Sequence, residues 1–381
     1  LGYDEKTEVL TKNGWKFLKD LTIRDECATL NPRTHEFEWQ KIEKITVKRY
    51  SGEMYCCKTK YVDLLVTPDH KMYVCPYKKC TVDSTDKFKL IEARDVFNTG
   101  VHHITTAARW RGEEKEYFTL PECKTKTGCR IPKKEIPMMD WVEFFGYYIA
   151  EGCIWEGGNG HYRIVIVQRS ENFEKIYDAF HRIGMGKIKI KSNPHYPHVQ
   201  HIIMHNLQLY SYLSRFGKSY DKWIPIEIKN LSSKYLKIFF DAYISGDGLI
   251  KSYKSGSVGI GVSISAWTSS KKLRDDLQEI GIKLGYGVQY KLDCDIGKSH
   301  YVKSIGRTIT AKHKCWVIYF SPRKTPYFNQ KHNERIAYSR KKKTLTEEKN
   351  VHYSGKIYSL DVPNNIILVR RNGKCFFSGS N

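Results

Sequence analysis

Two short segments constrain this chain more than any other feature: FFGYYIAEG, from Phe144 to Gly152, and FDAYISGDG, from Phe240 to Gly248. Each is an apolar run with helical spacing that ends in a carboxylate followed by glycine. Small residues fall four apart in both, Gly146 and Ala150 in the first and Ala242 and Gly246 in the second, so each helix carries a flat strip on which a second backbone can lie closely. Glu151 and Asp247 come at the same offset from Gly146 and Ala242. Crossing the two helices at their small faces therefore sets the two acids side by side, an oxygen-rich pair of the kind that takes a hard divalent cation.

The segment after each helix repeats as well, and a repeat of this kind marks a duplicated fold. After Glu151 comes the alternating run HYRIVIVQ (His161 to Gln168), then Ser170-Glu171-Asn172 opening an amphipathic stretch that closes on RIGMG. After Asp247 comes VGIGVSISA (Val258 to Ala266), then Ser269-Ser270 opening a stretch that closes on KLGYG. Each unit reads as helix, strands, helix, with one strand face on the core and one on solvent or a ligand. The stretch from Met138 to Ser321 resembles a monomeric two-repeat LAGLIDADG homing endonuclease. That resemblance implies an α+β pseudo-two-fold domain with repeats at about 138–230 and 231–321. It implies two sheets that grip a long asymmetric double-stranded DNA site, and Glu151 and Asp247 as ligands sharing two or more Mg²⁺ ions. On the same resemblance Gln168 is a polar residue near the metal that tunes the solvent network, and Lys222 stabilises the phosphorane or positions the attacking water.

Composition supports a polyanionic partner independently. Lys and Arg number 64 against 41 Asp and Glu, a formal charge of +23, too large for an ordinary solvated surface. Basic residues alternate in strand-like stretches, Lys187 to Lys191 and Lys312 to Lys314, where one sheet face can track phosphates. The faces at His161–Gln168, Lys187–His205, Val258–Thr268 and Tyr301–Ser321 are the candidates for DNA contact. Charge alone also admits RNA. No long apolar run or signal peptide is present, and eleven cysteines without regular spacing describe no disulfide framework. These features predict no membrane partner and an intracellular, reducing compartment, cytoplasm or nucleus, and the endonuclease resemblance implies a monomer.

The flanks need a separate explanation. The N-terminal part proceeds through short alternating strands with turns about every ten residues, beginning with a turn at Lys12-Asn13-Gly14. The C-terminal part has a strand, a Pro-Asn-Asn turn, a strand, Asn372-Gly373 and a last strand ending at Asn381. Neither is a complete domain, so a β domain interrupted by an inserted enzyme is the economical reading. Val66-Thr67-Pro68-Asp69-His70 presents Thr67 and His70 three residues apart on a tight turn. With T-x-V-L-T at Thr7 to Thr11, YSLDVPNN at Tyr358 to Asn365 and Asn381, it resembles the splicing domain of inteins, an all-β Hint fold of horseshoe shape. The resemblance implies that Thr67 and His70 polarise the peptide at the N-terminal junction and that Asn381 cyclises to cut the other. It also implies host-protein exteins as partners before splicing.

Departures from that pattern matter equally. Inteins normally begin with Cys or Ser, yet Leu1 and Gly2 stand here and Cys27 is the first cysteine. The nucleophile either preceded Leu1 or was replaced at Gly2, and either way autocatalytic splicing is expected to be disabled. Ser380 stands where His is usual before the terminal Asn, and Ser359 and Ile366 replace two other common residues of the motif.

The sequence thus predicts a bifunctional intein. Its discontinuous splicing domain runs over 1–131 and 345–381, with 78–137 as a DNA-contacting extension or linker, and a Mg-dependent, site-specific DNA endonuclease occupies 138–321. Its rivals are a LAGLIDADG-fold nucleic-acid-binding module or RNA maturase that does not cut, and a splicing element with a decayed nuclease.

Overall fold

The computed structural model describes the chain apart from residues 1, 77–86, 99–101, 170–171, 193–198, 256–258, 303–305, 323–326, 329–334 and 340–341. Leu1, the start of the 78–137 stretch, and parts of the sheet-face candidates at 193–198 and 303–305 therefore lie outside the described residues. The described chain is mostly β-sheet with some helices. It divides into two compact units: Leu1–Trp110 with Gly281–Lys291 and Tyr319–Asn381, and Arg111–Ile280 with Leu292–Ile318. No described helix is long and apolar enough to cross a membrane.

The first unit is woven from both ends of the chain. Glu8–Thr11 turns back on Gly14–Phe17, with Gly14 at φ 96°, a conformation that costs glycine nothing. Along its other edge Glu8–Thr11 pairs with Ile366–Arg371, and that strand reverses into Lys374–Gly379. Asn372 and Gly373 both take positive φ at the reversal, as a tight hairpin turn requires. Lys44–Lys58 pairs along its whole length with the C-terminal three-quarters of Lys342–Asp361, from Lys44 opposite Asp361 to Lys58 opposite Glu347. One core draws Tyr3, Val9, Val66 and Val74 from the start of the chain and Ile367, Val369 and Phe376 from its end. Arg371 is buried between Asp4 and Asp63, so its charge is matched where water cannot reach it.

The second unit is built on a duplicated α-β-β-α-β-β motif. Helix α1 (Met138–Glu151) starts after Pro137, a residue that blocks helix extension backwards. It buries nine residues on several faces, as a helix central to a domain does. Four strands surround α2 (Phe173–Arg182) in sequence, in spatial order Gly152–Gly157, His161–Arg169, Val199–His205, Ile188–Ser192. Helix α3 (Ser233–Asp247) then opens the second repeat, in which α4 (Lys271–Lys283) stands where α2 stood. Its strands Gly248–Ser255 and Gly259–Thr268 pair as the first two strands of the first repeat do, whereas Gly287–Lys291, which follows α4, is counted in the first unit.

Residues 111–137, read from sequence as lying partly in the 1–131 splicing part and wholly in the 78–137 extension or linker, belong to this second unit. Tyr117–Leu120 pairs with Lys134–Pro137, Phe118 stacks on Trp141 of α1 at 3.9 Å, and Glu113 exchanges backbone hydrogen bonds with Asn230 and Ser232. Nothing local in this polar stretch announces such partners, because Asn230 and Ser232 are remote in sequence.

Candidate active sites

Helices α1 and α3 cross on their small residues. A Cβ on Gly146 would lie 2.6 Å from the carbonyl oxygen of Phe239 and 2.8 Å from the Cβ of Ala242. One on Gly246 would lie 2.7 Å from the Cβ of Ala150, 3.1 Å from Cγ of Glu151 and 3.9 Å from its Oε1. The crossing therefore delivers the Glu151 carboxylate to the residue just before Asp247. Burial raises the pKa of both acids. Asp247 is pushed to about 7 by burial first and then by the charge of Glu151. Two half-dehydrated carboxylates that repel each other are a poor arrangement unless a cation joins them.

No set of three or more His, Cys, Asp or Glu able to hold a metal occurs among the described residues. Glu151 and Asp247 are the two carboxylates that the helix crossing brings near each other. Their chemistry fits a hard cation that keeps open positions for water and phosphate oxygens.

Lys222 is only 4% exposed, and its ammonium donates to three backbone oxygens at the end of α1: Tyr148 at 2.9 Å, Ile149 at 2.9 Å and Gly152 at 2.8 Å. Burial lowers its pKa to about 8, with Asp247, Cys153 and Glu151 opposing the shift. Gln168 is half-buried opposite Gln200. It shares the inward face of its strand with Ile164 and Ile166, two residues beyond the Ile166 that pairs with Gly152. Two residues read from the sequence only as openers of the amphipathic stretches also make side-chain contacts in this unit. Asn172 donates to the carbonyl of Ser245 at 2.9 Å, and Ser270 donates to the carbonyl of Lys222 at 2.6 Å. Both stand at helix starts, as the sequence indicates.

The outward face of the first sheet is cationic. Arg163 stands opposite His205, and Lys189 and Lys191 stand opposite Ile203 and His201 on the neighbouring pair. Partial burial and the surrounding charges of Arg163, Lys189, His161 and Lys191 lower the pKa of His205. The Lys187–Lys191 alternation thus becomes one face of a sheet, without carboxylates among those residues.

In the first unit the Thr67–His70 turn gathers both ends of the described chain. The Gly2 N–H donates to Oγ1 of Thr67 at 2.9 Å, the Thr67 N–H to the carbonyl of Gly2 at 3.1 Å, and the Lys71 N–H to the Asn381 oxygen at 3.0 Å. His70 is fully buried, its Nε2 lies 3.4 Å from Oγ of Ser378, and Tyr3 packs edge-on against its ring at 4.3 Å. Burial drops its pKa to about 3, so the ring is neutral at ordinary pH. Its Nδ1, and Oγ of the buried Ser380, have no hydrogen-bond partner among the described residues. Tyr3 and Ser378 were missed in the sequence because neither belongs to a motif.

Gly2 lies against the backbone of Tyr358. A Cβ there would lie 2.1 Å from the carbonyl oxygen of Tyr358, and a backbone atom cannot give way as a flexible side chain can. The backbone at position 2 thus leaves no room for a side chain unless the strand opposite shifts.

No family model matches the chain. It is 28% identical to an ATP-dependent Clp protease proteolytic subunit of Chlamydomonas moewusii, over 73% of this chain and 27% of that protein. It is 25% identical to the C-terminal section of a DNA-directed RNA polymerase beta subunit of Stigeoclonium helveticum, over 98% of this chain and 36% of that one. It is 23% identical to a ribonucleoside-diphosphate reductase beta subunit of Aquifex aeolicus, over 100% of this chain and 50% of that one. The chain thus spans a quarter to a half of the length of these curated relatives. Similar solved structures include homing endonucleases and a split intein. I-DmoI bound to DNA and Mn has 16% identity and a TM-score of 0.30, over 48% of this chain and 90% of that one. I-WcaI bound to its recognition sequence has 12% identity and a TM-score of 0.30, over 49% and 77%. The AceL NrdHF split intein has 15% identity and a TM-score of 0.22, over 54% and 99%.

Proposed function

We propose that this chain is a bifunctional intein, a protein-splicing β domain carrying a site-specific double-strand DNA endonuclease. The pairing of Glu151 and Asp247 across the α1–α3 crossing carries the nuclease reading. Two half-buried acids, each closing the helix that opens one copy of a duplicated motif, match a reaction performed twice, once on each strand of a duplex. A divalent cation such as Mg²⁺ bound there supplies charge neutralisation at a phosphodiester and an activated water. The protein's part is to hold two carboxylates at fixed separation on the helix crossing, to exclude bulk water from them by burial, and to bind the DNA backbone on basic sheet faces. Gln168, on the inward face beside Gly152, orders solvent near the acids.

The splicing reading is supported by the junction geometry. Thr67 hydrogen-bonds both sides of Gly2, the neutral His70 ring packs against Tyr3 and Ser378, and the Asn381 oxygen accepts from the residue after His70. The same chain aligns over most or all of its length with parts of relatives named for a protease, a polymerase and a reductase. A segment shared by proteins of unrelated activity is what an element inserted into different hosts produces. The nuclease reading is tested on a plasmid carrying the gene's sequence with the coding segment for this chain removed. Mg²⁺ should support cleavage of both strands and EDTA should abolish it. E151Q and D247N should each lower the single-turnover rate by at least about a thousandfold, roughly 4 kcal/mol of transition-state stabilisation, while DNA affinity stays within a few-fold. Parental rates in either variant would overturn the assignment.

A further inference from the structure

Lys222 is a buried cation whose three N–H donors are all taken, and the acceptors sit in an informative place. The last carbonyls of a helix have no intrahelical partner, and a buried helix end without partners is unstable. At the end of α1 that end also carries Glu151. Tyr148 O already accepts the Gly152 N–H, and Lys222 supplies the remaining donors to Tyr148, Ile149 and Gly152, flanking the acid on both sides in sequence. The lysine is anchored in turn: its own carbonyl accepts from Ser270 Oγ, and Ser270 Oγ accepts from the Leu273 N–H in the first turn of α4. Asn172 performs the matching task on the carbonyl of Ser245, two residues before Asp247.

Resting on the nuclease reading above, we infer that Lys222 is a positioning residue, a strut that fixes the end of α1 and through it the Glu151 carboxylate. It does not touch the reacting phosphate. An ammonium with three donors that spends all of them on backbone oxygens has none left for a phosphorane or a water. Side chains that orient a metal ligand from behind typically change metal affinity 10- to 100-fold when removed, and that signature separates a strut from a group acting on the transition state.

The test uses the full-length protein, Mn²⁺ and the plasmid lacking the insertion. In Lys222→Met, which keeps the stem and loses the donors, the Mn²⁺ concentration giving half-maximal cleavage should rise at least about tenfold. Saturating Mn²⁺ should restore the single-turnover rate to within a few-fold of the parent. Electron paramagnetic resonance of Mn²⁺ bound to the protein–DNA complex should show the same weakening. An unchanged midpoint with a plateau lowered a hundredfold would overturn the inference, because that is direct action on the reaction.

A second measurement covers the case in which the variant does not fold. In the parent protein, Lys222 should resist reductive methylation, read by mass spectrometry, both free and on DNA, while surface lysines react. Methylation of Lys222 at the rate of exposed lysines would also overturn it. The two layers fail separately: if neither E151Q nor D247N weakens Mn²⁺ binding, the metal-site reading falls, whatever Lys222 does.

Discussion

Gly146 and Gly246 set the spacing of the central helix pair, so adding one methyl group to either tests the geometry of the candidate nuclease centre. Replacing a helical glycine by alanine normally stabilises by up to about 1 kcal/mol, because the helix orders a less floppy backbone. Here the new methyl meets the Phe239 carbonyl oxygen at 2.6 Å and the Ala242 Cβ at 2.8 Å in G146A, and the Ala150 Cβ at 2.7 Å in G246A. Ordinary carbon contacts lie near 3.5–4.0 Å, so the helices must part by on the order of 1 Å. Overpacking of that kind costs about 1–3 kcal/mol. With about 2 kcal/mol lost and about 1 regained, each variant should lose about 1 kcal/mol. For a unit of this size that lowers Tm by about 2–4 °C. Scanning calorimetry reads the shift, with G158A as the control, since a Cβ there meets nothing within 4 Å. The two variants should diverge in function. G246A also presses on Glu151 Cγ at 3.1 Å and should lose cleavage rate at limiting Mg²⁺ well beyond its loss of stability, whereas G146A should not. A melt raised by the few degrees that propensity alone supplies, in both variants, would refute the crossing.

Three further outcomes are expected. His70 has a folded pKa of about 3 against an ordinary 6.5, so the unfolded chain takes up its proton first and stability contributed by the neutral ring falls as pH drops from about 6.5 towards 3. The slope should be about 1.4 kcal/mol per pH unit, visible as a steeper acid loss of Tm than in His70→Gln; equal slopes would refute it. His70→Ala should leave single-turnover DNA cleavage near the parental rate, and a large drop with an unchanged melt would end the division of labour between the units. A cysteine placed immediately before Leu1, between flanking protein segments, should yield ligated product by mass spectrometry. Gly2→Cys should give none and should melt lower because of the Tyr358 carbonyl; ligation from Gly2→Cys would overturn the reading of that position.

The sequence by itself determined the elements whose logic is local or repeated. The two helices, their small-residue strips and their acids were legible because helical period and duplication are both printed in the chain. The Asn372-Gly373 hairpin was legible because that dipeptide suits a turn with two positive φ values, and the T-x-x-H turn because it is compact. Tertiary structure decided everything that depends on partners remote in sequence. Residues 111–137 find theirs at Asn230, Ser232 and Trp141, so no composition shift could place their boundary. Gly281–Lys291 joins the first unit, where Gln289 pairs with Lys374, although its sequence continues the second repeat. Lys222 reads, on the resemblance, as a group acting on the phosphorane or the attacking water until three carbonyls from a helix some seventy residues earlier close on it. Gly2 reads as a replaceable residue until the backbone of Tyr358 is found in the space a side chain needs. Local pattern encodes which segments can be helix or strand; which buried polar group meets which is settled only when burial removes water and leaves each donor the acceptors the fold brings to it.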